Sequence, residues 1–205
     1  MWKKRLQSRS AFSKACSCLV QNWQHQHVIP EEIQAQILEG FKKFYDKRHW
    51  KYAFIKKAVS VTYETFTKGS WTFVLHDAEG RSLTVSKQCK PVNILRDVRE
   101  ACRGAVHYDQ ILPQKTFLDS EVDHCNVGGF HQIFQAWIEH QDIEQLYKYV
   151  VHNDPRFARV KRCGFKTFKE PTLTKWRVFH KAHAKLEEIT PEQHAVRTKK
   201  RKRYK

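Results

Sequence analysis

The chain has 205 residues, with 38 Lys and Arg against 21 Asp and Glu, a formal charge of +17 and 13% aromatic residues. That length holds one large domain or two small ones, and the aromatic content supplies bulk for a packed core, which excludes a purely disordered basic tail. No run approaches the ~20 apolar residues of a membrane-spanning helix. The six cysteines (Cys16, Cys18, Cys89, Cys102, Cys125 and Cys163) form no CxxC pair. Neither a disulfide framework nor a two-pair zinc site is therefore expected. A reducing compartment follows: the cytoplasm, with an organelle matrix or the nucleus as alternatives.

The charge is uneven. Residues 155–205 carry 17 basic and 4 acidic side chains, whereas residues 91–154 carry 5 and 10. Lys and Arg that neutralise phosphates release condensed counterions, so this concentration of charge predicts a nucleic acid as partner, and no membrane. The alternative is a merely soluble basic surface. Residues 1–29 contain no acid and read as a basic arm that touches phosphates, or as a transit-like targeting segment.

In chain order, Pro30-Glu31-Glu32 opens a helix, because Pro suits the first turn and acids suit its positive end. Ile33, Ile37, Leu38, Phe41, Phe44 and Tyr45 then recur at helical spacing. Strands are predicted over 58–66, 71–76 and 81–89. The first alternates Val59, Val61, Tyr63 and Thr65 with other residues, and Asp77-Ala78-Glu79-Gly80 is a tight turn. This is a three-stranded antiparallel meander behind a helix. Residues 93–114 turn helical. A strand and turn over 121–129 end in Gly128-Gly129, followed by helical pieces over 130–140 and 143–151 and a basic, irregular hairpin over 156–169. Residues 173–189 read as one helix, with Trp176, Phe179, His183 and Leu186 on one side. Thr190-Pro191-Glu192 starts another, with Thr190 as its cap. Residues 197–205 read as a disordered charge run.

Two segments carry chemistry. The first is Val122-Asp123-His124-Cys125-Asn126-Val127-Gly128-Gly129. The second runs through His180, His183 and His194 to Arg197-Thr198-Lys199. Adjacent strand residues point to opposite faces, but a bend before a Gly-Gly turn can bring Asp and His to one cleft. The carboxylate can then hold a divalent metal while the imidazole takes a proton from water. A helix-borne His can complete the metal site, and the metal stabilises charge on the phosphate. Read singly, Asp123 is a turn residue, His124 a surface histidine, and His183 and His194 part of a basic phosphate-binding face.

In that order these residues resemble the HNH (ββα-metal) nuclease family. The resemblance implies Asp123 and His194 as metal ligands, His124 as general base, and His183 in the middle position that orients the base or the phosphate. Arg197 and Lys199 would meet phosphates, with Lys200, Arg201, Lys175, Arg177 and Lys181 beside them. The ion implied is Mg²⁺, or Mn²⁺, without the family's structural zinc. The gap between the motif halves, from Gly129 to Trp176, is long.

The N-terminal pattern has its own resemblance. The helix with Ile37-Leu38, the Trp71-Thr-Phe-Val strand, the Asp77-x-x-Gly80 turn and Val85-Ser86-Lys87-x-Cys89 are similar to the DCL (defective chloroplasts and leaves) domain. That family is associated with plastid ribosomal RNA maturation and an RNA polymerase tail. Phage-encoded proteins that join such a domain to an HNH-like half resemble the whole chain.

The expected fold class is α+β. A basic arm (1–29) precedes a small helix-plus-meander domain (30–92), a helix-rich HNH-like domain (93–198) and a basic tail (199–205). The expected function is metal-dependent endonucleolytic cleavage, of DNA ahead of RNA. The alternative is a non-catalytic binder of structured RNA, a ribosome or RNA polymerase. The enzyme reading requires Asp123, His124 and His194 to converge within reach of one metal.

Overall fold

The computed structural model describes residues 7–22, 29–65, 71–117, 120–125, 128–152 and 166–202. The expected hairpin over 156–169 lies largely outside them, as does the end of the tail. The chain divides into two compact units, Met1–Val92 and Asn93–Lys205. Both are mixed α+β. Among the described residues no helix is long and apolar enough to cross a membrane.

In the first unit, helices α1 (Arg9–Asn22), α2 (Glu31–Phe44) and α3 (Tyr52–Lys57) precede strands β1 (Ser60–Thr65), β2 (Trp71–His76) and β3 (Ser82–Val85). The strands form an antiparallel meander in the order β1-β2-β3. Val61 pairs with Leu75, and Phe73 with both Tyr63 and Val85. Alternation sends Val61, Tyr63, Phe73, Leu75 and Val85 to the core, where Ile37, Leu38 and Phe41 of α2 meet them. The turn between β2 and β3 is held by Asp77, whose carboxylate accepts from the backbone N–H groups of Glu79 and Arg81 and from the Arg81 guanidinium. Gly80 supplies the positive φ of 77° that closes it.

The basic arm expected over residues 1–29 is in part a core helix. Phe12, Cys16, Leu19 and Val20 of α1 are buried with the α2 and sheet residues. Positive charge dominates the composition of this stretch, and it masks the apolar spacing 12, 16, 19, 20 that a helix needs. The Phe12 ring lies against the backbone of α2 at Gly40, where a Cβ would sit 2.1 Å from Phe12 Cε2.

In the second unit, α4 (Ile94–Val106) runs into a π-helical turn (His107–Ile111) and a short 3₁₀ turn. Asn93 caps α4 by accepting from Arg96 N–H. Then come β4 (Glu121–His124), α5 (Phe130–Ile138), α6 (Ile143–Lys148), β5 (Val150–Val151), β6 (Thr167–Phe168), α7 (Thr172–His183), β7 (Leu186–Ile189) and α8 (Pro191–Lys202). Trp176 is fully buried. Its indole N–H donates to Cys102 O at 2.6 Å, and its ring packs 4.9 Å from Trp137 of α5.

The single helix expected over 173–189 stops at His183. Ala184 is extended (φ −80°, ψ 129°), and Leu186–Ile189 leaves the helix to pair with β4. The Arg197 to Lys202 part of the expected disordered run is instead helical, as the last turns of α8.

Gly40→Ala should destabilise the first unit by about 1–3 kcal/mol, as overpacking does, even though Ala is the better helix former. A urea midpoint that rises in Gly40→Ala would refute the close approach, and Phe12→Leu in the same chain should recover part of the loss.

Candidate functional site

β4 and β7 pair antiparallel, with Glu121 opposite Ile189, Val122 opposite Glu188, Asp123 opposite Glu187 and His124 opposite Leu186. Cys125 N–H donates to Lys185 O and extends the ladder. Glu188 reinforces it by accepting from the Thr116 and Phe117 backbone N–H groups and from the Thr116 and Ser120 hydroxyls. Those bonds hold its carboxyl near 2, well below the ordinary range. The β7 strand leads through Thr190 straight into α8. There Thr190 Oγ1 accepts from Gln193 N–H while Gln193 Oε1 accepts from Thr190 N–H, a reciprocal capping box. Helix α8 packs on β4. The two motif halves thus adjoin in a strand–strand–helix arrangement, and the long gap between them is filled by α5 to α7.

The period-2 alternation of β4 divides its side chains between two environments. Glu121 and Asp123 face α8. Arg197 Nη1 lies 2.8 Å from Glu187 Oε2 and 3.8 Å from Asp123 Oδ2, so two cross-strand carboxylates surround one cation. Asp123 is buried. The Cys125 thiol donates to Glu187 Oε2 at 3.0 Å, and its pKa is raised by burial and by that carboxylate. The guanidinium of Arg197 lowers the Glu187 pKa. His194 Nδ1 pairs with Glu121 on the same face.

His124 faces the other way, into the core beside Phe130 and His180. Its Nε2 lies 2.9 Å from Nε2 of the fully buried His180, and its ring meets Phe130 edge-on at 5.3 Å. The other His180 nitrogen, Nδ1, is 2.6 Å from Gln110 Oε1. Gln110 Nε2 donates to Arg177 O, which fixes the amide so that Oε1 accepts from His180 Nδ1–H. Burial first, then His124, pushes the His180 pKa down to about 4, so its ring is neutral at pH 7. Neutral His180 therefore presents a lone pair at Nε2, which accepts from His124 Nε2–H.

The remaining candidates scatter. His183 is exposed, stacks on Phe179 at 4.1 Å and lies 2.7 Å from Phe179 O through Nδ1. Arg177 is engaged with Asp109 Oδ2 at 2.5 Å and with Ala105 O. Lys175, Lys181, Lys199 and Lys200 are exposed. Asp123, His124 and His194 do not form a three-ligand cluster: among the described residues no group of three or more His, Cys, Asp or Glu is arranged to hold a metal ion. The sequence places His180 in the second chemistry-bearing segment without a role of its own, and it does not single out Gln110 or Glu187. His180 follows Trp176 by four residues, the spacing of one buried helical face, and that was the available signal. Compared with known proteins, the chain matches no family model, no curated protein and no solved structure.

The neutral His180 makes stability pH-dependent. Its folded pKa near 4 lies below the ordinary value of 6.5, so the unfolded chain binds the extra proton between those values. This contribution is complete above about pH 6.5 and is lost as pH falls toward 4. His180→Gln should flatten that fall. Urea midpoints at pH 4.5 and 7 check it, and equal pH dependence in both proteins would refute it.

Proposed function

We propose that the protein is a non-catalytic binder of nucleic acid. One observation carries this reading. Asp123 and His124 lie on opposite sides of the β4–β7 pair, and among the described residues they form no cluster with His194 that could hold one metal ion. The +13 net charge of residues 155–205 supports the choice of a polyanion.

The Asp123 and Glu187 carboxylates converge on the Arg197 guanidinium, which fills the place a divalent ion would take between them. His124 points the other way and pairs with the buried His180. The exposed Lys199 and Lys200 of α8 meet backbone phosphates.

A second reading, a metal-dependent HNH-like phosphodiesterase with DNA ahead of RNA as substrate, is favoured by a specific observation: the Asp123-His124 strand and the Arg197-bearing helix, distant in sequence, are neighbours in a β4–β7–α8 unit. Incubation of the purified protein with supercoiled plasmid and with structured RNA, with and without Mg²⁺ or Mn²⁺, separates the two. Binding without cleavage under any divalent ion is expected. Cleavage that depends on the ion would establish the enzyme instead. In that case His124→Ala should lose about 10²–10⁴ in rate with affinity unchanged, Asp123→Ala and His194→Ala should regain activity at higher metal concentration, and His183→Asn should be mild.

A further inference from the structure

The first unit carries positive charge that the C-terminal chemistry does not use. We propose that this unit has its own binding groove for the phosphodiester backbone of a nucleic acid, formed by Arg9, Lys14 and Lys90. The proposal rests on the reading that nucleic acid is the partner. The groove has a volume of about 570 Å³ and is lined by Arg9, Ser10, Ser13, Lys14, Gln88 and Lys90. None of these is acidic. Three are cations, and the others offer hydroxyl or amide donors, the groups that contact phosphate oxygens.

The groove is built by the fold rather than by loose surface lysines. One wall is the first two turns of α1, whose apolar side is locked into the core through Phe12, Cys16, Leu19 and Val20. Arg9, Ser10 and Lys14 are left exposed on the outer side. The other wall is the turn that follows β3. Cys89 there is fully buried with a positive φ of 44°, and its backbone N–H donates to Ser86 O. Burying that one side chain leaves its neighbours Gln88 and Lys90 exposed beside α1. Lys87 ties the walls together: its ammonium donates to Ser17 Oγ of α1 at 2.6 Å and sits 4.3 Å from the Trp71 ring centroid. The groove also lies at the N-terminal end of α1, whose first turn holds no acid. The helix dipole therefore adds to the positive potential.

Side chains on two separately anchored walls suit an extended chain of phosphates, which carries repeated charge without requiring base contacts. Binding here should thus be indifferent to sequence. The test uses the full-length protein and a short labelled DNA duplex and RNA hairpin, with affinity followed by fluorescence anisotropy across a salt series. Each phosphate neutralised contributes about 0.9 to the log–log slope on duplex DNA. Arg9→Gln/Lys14→Gln/Lys90→Gln should therefore make the slope shallower by about 2–3. The control Lys56→Gln/Lys57→Gln, two exposed lysines outside the groove, should leave the slope unchanged. If the triple variant does not fold, Lys14→Gln and Lys90→Gln singly should each lower the slope by about 1. The preferred arm, DNA or RNA, identifies the backbone. A wild-type slope in the groove variants overturns the groove, as does an equal effect per charge in the control. Wild type that binds neither probe removes the nucleic-acid reading itself, a failure told apart because no slope then exists to compare.

Discussion

Pairing of β4 with β7 is the constraint on which the second unit depends. The two strands are short and far apart in the chain, and closing so long a loop costs conformational entropy before any ladder bond forms. The intervening residues repay that cost by folding on themselves. Trp176 joins α7 to α4 through Cys102 O and to α5 through Trp137, so the end of α7 is delivered beside β4. Glu188 then pins β7 to Thr116, Phe117 and Ser120 through four hydrogen bonds. Without the aromatic core of α4, α5 and α7, nothing would bring Leu186–Ile189 to Glu121–His124.

The pleat of β4 turns that pairing into two chemically distinct sites one residue apart. On the α8 side, two carboxylates and a guanidinium form a compact charged cluster. On the α7 side, His124, the uncharged His180 and the Gln110 amide form a hydrogen-bonded chain. Each environment sets the protonation of its members. Charge neighbours keep Glu187 ionised, whereas burial keeps His180 uncharged. The Arg197 guanidinium shows that the carboxylate pair is laid out around a single positive centre.

The first unit reaches its stability by other means. Its meander is a local fold, closed by the Asp77 turn, and its helices cover the inner face. Phe12 against Gly40 allows α1 to lie nearly on the α2 backbone. The consequence is that basic residues on the outer side of α1 are held in place by an apolar inner side. A basic sequence and a core helix are thus the same segment.

The sequence by itself determined the α+β class, helix α2, the meander and its Asp77–Gly80 turn, and the start of α8 at Thr190-Pro191. Each rests on contacts between residues close in the chain: helical spacing, strand alternation and capping. It also singled out Asp123 and His124, which the pleat of β4 sends to two different environments. What it did not determine depends on distant partners. The stretch 173–189 has helical spacing throughout, and only the vacant edge of β4 makes Leu186–Ile189 a strand. Glu187 joins Asp123 because of that register, and His180 meets His124 because of the Trp176 packing. The burial of Phe12 and Cys16, hidden under a basic composition, required the surface of α2 to exist first. Tertiary structure decided these points because an antiparallel ladder and a buried face have energies that belong to two segments at once, and neither segment alone encodes them.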